Sequence, residues 1–213
     1  MKYKKKKFNK FSVALGLLDY INPILYSVTI ITVIKKFYSI MESPYNIVLL
    51  IGAIISIFFG LAIPTFKVLV GLKVIKFSAP VSLVFSVNSG ILLSGVILIN
   101  YVMNFNIIVL SIILACIVGL LIFYFIIKNS NTIAVLVGAL GYILIYISLI
   151  LLSIEYCLIV PIIMYAFAIV LFLMLCLVGI KGDLKNPRVH WIIESSNIIC
   201  QLLVATATMI LLA

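Results

Sequence analysis

A hydrocarbon core about 30 Å thick takes about 20 residues of α-helix to cross, and apolar runs of that length recur along the whole of this chain. That recurrence constrains the fold more than any other feature. Of the 213 residues 66% are hydrophobic and 9% charged, where soluble domains are roughly half apolar and about a quarter charged. A water-soluble fold of this length has too little interior to hide such a surface. Transmembrane β-strands would alternate apolar and polar residues, and no such alternation is present. The expected fold class is therefore all-α, a polytopic transmembrane helical bundle.

Seven spans are expected from the apolar runs and the polar punctuation between them: 12–34, 46–66, 80–103, 106–127, 132–153, 157–180 and 189–212. The tight fourth and fifth junctions also admit six or eight. Residues 1–213 are read as one integral membrane domain, with a basic tail over 1–10. Although that tail and the first apolar run resemble a signal peptide, the run has no small-residue cleavage site and carries Asp19, so it is read as a retained first helix. With the N-terminus inside, every basic residue except Lys35 and Lys36 falls on the cytoplasmic side, which predicts an N-in, C-out arrangement. The formal charge of +10 is therefore read as a topology signal and not as a nucleic-acid surface. Heavy use of isoleucine and lysine points to an AT-rich bacterial genome, and so to a bacterial inner membrane.

Small residues let helices approach in lipid, where apolar burial cannot drive association. Gly52, Ser56 and Gly60 in the second span, Ser82, Ser86, Gly90 and Ser94 in the third, and Ser111, Ala115 and Gly119 in the fourth repeat at i, i+4, predicting a sub-bundle of spans two to four. Pro23, Pro64 and Pro161 lie within or at the ends of spans, and Asn22-Pro23 is the expected kink. The four cysteines, Cys116, Cys157, Cys176 and Cys200, stand singly, without metal-ligand or redox spacing. No cofactor or metal site is expected.

An ionisable side chain in hydrocarbon costs at least a few kcal/mol, so each one marks a candidate site facing the bundle interior. Asp19 lies in the first span, and His190 and Glu194 in the last. His190, Glu194, Asn197 and Gln201 follow at steps of four, three and four, which puts them on one helix face. Asp19, Asn22 and Tyr26 share a face of the first span. At about 1.5 Å per residue, Asp19, Asn88 and Asn197 each lie roughly 11–12 Å from the inner end of their spans. The sequence thus predicts a polar cavity, open to the cytoplasm, lined by Asp19, Asn22, Asn88, His190, Glu194, Asn197 and Gln201. The competing reading is structural: asparagine and glutamine bond across helices in membranes, and His190 beside Trp191 has the character of an interfacial anchor.

Lys67, Lys73 and Lys76 are spaced among aliphatic residues either as a helix lying in the inner interface or as a plain cytoplasmic loop. With Lys181, Lys185 and Arg188 in the last basic loop, they are candidate contacts for anionic lipid headgroups. Pro187 suits the start of the seventh span.

Val70-Gly-Leu-Lys73, Pro80 and Asn88 rhyme with Val178-Gly-Ile-Lys181, Pro187 and Asn197 at an offset of about 108 positions. Spans one to three and five to seven would then be parallel repeats joined by the fourth, and repeat interfaces are where transporter sites form. This three-plus-one-plus-three plan resembles the SWEET and PQ-loop sugar transporters. The resemblance implies that Asn88 and Asn197 match the asparagines of their sugar site. The chain departs from that pattern in having no Pro-Gln pair, no tryptophan in the matching spans except Trp191 at the edge, a long loop between spans two and three, and the opposite orientation. The resemblance stops at the plan.

No nucleotide-binding loop, metal-ligand set or Ser/His/Asp order is present. Three functions stay open. The first is a small transporter, permease or channel for a small solute or ion, with Asp19 and Glu194 as proton- or cation-linked groups. The second is a membrane enzyme acting on a lipid or isoprenoid, with His190 and Glu194 sharing acid–base work. The third is a noncatalytic partner or assembly subunit, and self-association into a homo-oligomer is compatible with all three.

Overall fold

Prolines and small residues set where these helices break and touch. A computed structural model describes residues 12–75, 80–104, 131–181 and 187–213, leaving aside the side chains of 81, 131, 132, 179–181, 187 and 188. The elements are α1 (Val13–Asp19), α2 (Ile21–Phe37), α3 (Tyr45–Gly71), α4 (Val81–Met103), α5 (Asn131–Glu155), α6 (Ile159–Lys181) and α7 (Pro187–Leu212). With α1 and α2 taken as one broken span, the described residues hold 6 helices long and apolar enough to cross a membrane, and no strand. The span expected over 106–127 lies outside the described residues.

Ser12 caps α1, its hydroxyl accepting the Leu15 amide hydrogen bond at 3.2 Å. The interruption of the first span falls at Tyr20, one turn before the expected Asn22-Pro23 kink. Pro23 has no N–H to donate to the carbonyl four residues back, that of Asp19, so the ladder opens on the N-terminal side of the proline. Tyr20 instead closes a tighter turn, its amide reaching the Leu17 carbonyl at 3.3 Å. Pro64 removes the same bond to Gly60 inside α3, which stays continuous through it. Pro161 lies in the first turn of α6 and Pro187 opens α7, where proline costs no intrahelical bond.

The expected small-residue contact between α3 and α4 is present over part of its length. A Cβ added at Gly90 would meet the Gly52 carbonyl at 2.6 Å and the Ser56 amide at 2.8 Å, so the two backbones touch. Ser94 is buried in the same crossing, whereas Ser82 is exposed and lies outside it. The opposite face of α4 packs against α5 through Gly95 and Gly141. A Cβ at Gly141 would meet the Leu92 amide at 2.6 Å. The remaining packed pairs include α6 with α7, α2 with α7, α5 with α6, and both α1 and α2 with α3.

The pairing of α4 with α5 is parallel. Near their starts, the Asn88 amide donates to the Ala134 carbonyl at 2.7 Å, and near their ends Asn100 and Leu152 line one cavity. Outward faces are apolar: Ile163, Phe167, Val170, Met174 and Leu177 form one exposed stripe along α6, as lipid contact requires. Polar groups turn inward, including Thr208 on α7, whose hydroxyl lies 2.9 Å from that of Tyr165 on α6. Of the described cysteines Cys200 is buried, its thiol donating to the Ala168 carbonyl at 3.4 Å, and Cys157 is exposed.

Candidate functional site

Asp19 ends α1 at the helix break. Glu194 lies two turns into α7. Both side chains point into the bundle, each residue only 8% exposed. Lys67, near the end of α3, lies between them: its Nζ is 2.6 Å from Asp19 Oδ2 and 3.0 Å from Glu194 Oε1. Asn22, one turn beyond the break, donates from Nδ2 to the other Glu194 oxygen, Oε2, at 3.0 Å. Beside this cluster the hydroxyls of Tyr20 and Thr65 lie 2.6 Å apart, a second link between the first span and α3.

Local sequence explains how α1, α3 and α7 bring these charges together. Gly16, one turn before Asp19, lies against α3 immediately after Lys67. A Cβ there would meet Val68 Cγ2 at 2.8 Å and the Val68 amide at 3.0 Å, so a bare glycine permits the approach. Helix α3 has 27 residues, about 40 Å at the usual helical rise. That is longer than the hydrocarbon core requires, and Lys67 is still helical where the sequence reading placed a loop or interfacial segment. Its ammonium is turned inward to the carboxylates, its side chain 19% exposed.

With all three ionised, the two carboxylates and one ammonium would carry one net negative charge. Removing them from water costs several kcal/mol per ion unless each is paired and hydrogen-bonded. Lys67 meets that condition for both acids and Asn22 supplies a further donor to Glu194. That charge could be met by one proton or one monovalent cation.

The described contacts of Asn88, Asn197 and Gln201 lie outside this cluster. Asn88 does not join Asp19 and Asn22; it is held by the Ala134 carbonyl across the α4–α5 contact. It lines a different cavity of about 210 Å³ with Asn197, Gly138, Tyr142, Phe172 and Cys176. The direction of Asn88 around α4 turns it toward α5. Gln201 is fully buried, within hydrogen-bonding reach of Tyr142, and its Oε1 accepts no bond. His190 is half-buried one turn before Glu194. An aromatic core borders the cavity that Asn88 and Asn197 line. Tyr26 meets Tyr142 edge-on at 5.9 Å, and Tyr142 packs on Phe172 at 4.9 Å. The Ser56 hydroxyl donates to that of Tyr26 at 3.2 Å.

Lys67 is the member that sequence reasoning missed. Its position after an apolar run gave it the character of a topology marker, like the lysines that follow it. The available signal was charge balance: two carboxylates in neighbouring spans require a cation at the same end, and the apolar sequence continues past Lys67 to Gly71. Of the other proposed headgroup contacts, Lys73 lies in the turn after α3, while Lys76 and Lys185 and the side chains of Lys181 and Arg188 lie outside the described residues. Compared with protein-family models, with curated proteins and with solved structures, the chain finds no match in any of the three, so its function is read from this geometry.

Proposed function

We propose that this chain is a small transporter or channel that moves a small solute or ion across a bacterial cytoplasmic membrane. In this reading Asp19, Lys67 and Glu194 form its proton- or cation-responsive element. The observation that carries it is the placing of one ammonium between two inward-facing carboxylates on three different elements of an apolar bundle. Ionisable groups held at membrane depth mark ion pathways and proton relays more often than they serve as fasteners. A change in occupancy of the net charge alters how tightly α1, α3 and α7 are tied, which couples ion binding to helix movement. Asn22, His190, Asn197 and Gln201 are assigned to the polar path on α2 and α7, and Asn88 to its far wall across the 210 Å³ cavity.

The proposed topology is seven spans in one membrane domain, N-terminus inside. The parallel pairing of α4 and α5 supports an odd number of crossings between them, in keeping with a span over 106–127. The plan of three, one and three spans belongs to the same proposal. For the lipid-directed enzyme, His190 and Glu194 would act together. Both Glu194 oxygens are engaged by Lys67 and Asn22, which favours the ion-coupled reading.

The test is proton flux into proteoliposomes loaded with a pH-sensitive dye and energised by a potassium diffusion potential. The wild-type chain acidifies the lumen, and D19N or E194Q reduces the rate at least about tenfold, the effect of losing a proton-transfer group. Flux that is equal in wild type and both variants, or absent from the wild type, overturns the assignment.

A further inference from the structure

At the end of the bundle opposite the Lys67 cluster, the C-terminal ends of α2, α4 and α5 and the start of α3 line a half-open cavity of about 460 Å³. At a rise of about 1.5 Å per residue, Tyr45 at its edge and Lys67 are roughly 33 Å apart along α3, so the two sites are separate. A volume of this size is within the range of about 300–1,000 Å³ that holds small organic ligands.

Its polar lining is one-sided. Glu42 and Glu155, from the α2–α3 turn and the end of α5, contribute two carboxylates, and neither makes an ion pair among the described residues. Lys35 and Lys36 lie at the same end but do not line the cavity. Asn100 also lines it. That residue is 8% exposed, and its Oδ1 accepts no hydrogen bond. A buried acceptor left without a donor is costly, and a ligand N–H would relieve that cost. The rest of the wall is aromatic and apolar: Phe37 and Tyr101 meet edge-on at 5.3 Å, flanked by Met41 and Leu152. Two free carboxylates and an unmet carbonyl oxygen call for a positively charged donor, and aromatic faces favour the same charge. The apolar wall and the volume suit an organic body more than a bare metal ion.

We infer that this cavity is a binding site for a small organic ammonium compound, its N–H groups shared among Glu42, Glu155 and Asn100 and its apolar body against Phe37 and Tyr101. The inference stands apart from the Lys67 cluster and does not depend on transport.

The probe is 2-phenylethylamine, titrated calorimetrically into the purified full-length chain in lipid nanodiscs. The neutral isostere 2-phenylethanol and sodium chloride serve as competitors. The amine binds, the alcohol does not, and E42Q or E155Q weakens binding by about tenfold each, as expected for loss of a charge-assisted hydrogen bond. Both glutamates are exposed, so these variants leave the fold intact. D19N, expected to stop proton flux, keeps the wild-type affinity for the amine, so the two sites fail separately. Absence of amine binding, equal binding of the alcohol, wild-type affinity in both E42Q and E155Q, or displacement of the amine by millimolar sodium overturns the inference.

Discussion

A lysine ammonium shared by two shielded carboxylates is stable only as a set, because deleting one member strands the others out of water. Lys67→Met leaves Asp19 and Glu194 without their common partner, and only the Asn22 amide remains to Glu194. The expected cost is about 3 kcal/mol. It is read as a lowered midpoint of thermal unfolding in detergent, and combining K67M with D19N and E194Q restores most of the loss. A K67M midpoint equal to wild type would show that the three groups are not held together. At this scale the sequence identified the two acids and Asn22, because their cost in hydrocarbon is independent of the fold. It did not identify Lys67, whose charge at a span end has an ordinary topological explanation that only the side-chain direction displaces.

Helix contact depends on what the backbone permits. Gly90 and Gly141 touch the backbones of α3 and α4 respectively, where no side chain can move aside. Gly90→Leu and Gly141→Leu therefore force whole helices apart, at an expected cost of at least about 1–3 kcal/mol each. Loss of a monodisperse peak in size-exclusion chromatography measures the effect. Gly60 offers a contrast: the nearest atom to an added Cβ is Pro23 Cβ at 3.3 Å, so Gly60→Ala retains the wild-type elution profile. Wild-type behaviour of Gly141→Leu would refute close α4–α5 packing. The periodic stripe Gly52, Ser56, Gly90 and Ser94 was legible as spacing. The α4–α5 contact was not, because Gly95, Gly138 and Gly141 do not form an i, i+4 series of glycines. The break at Tyr20 was legible to within a turn, since a proline disrupts the bond to the residue four before it.

Across the whole molecule, the inside-out distribution of side chains makes lipid its natural solvent. The stripe on α6 faces outward while Tyr165, Thr208 and Cys200 turn in. With the N-terminus inside and seven spans, the α5–α6 turn that carries Cys157 is on the outer face, together with Glu42 and Asn104. Cys157 is exposed and Cys200 buried. A membrane-impermeant maleimide applied to intact cells should label Cys157 and leave Cys200 unmodified. Labelling of Cys157 only after permeabilisation would reverse the proposed orientation and place the amine cavity on the cytoplasmic side.

Apolar run length by itself determined that the chain is a helical membrane protein, because the thickness of hydrocarbon and the rise of a helix set the same number for any sequence. The desolvation penalty likewise singled out Asp19 and Glu194 without reference to their surroundings. Only the tertiary structure decided that both meet on Lys67, that Asn88 turns away toward α5, and that Glu42, Glu155 and Asn100 converge at the far end. These are facts about rotation around helix axes and about which helices are neighbours. In lipid such facts are settled by close packing between particular surfaces, and linear spacing along one helix does not fix how a side chain is rotated toward its neighbours.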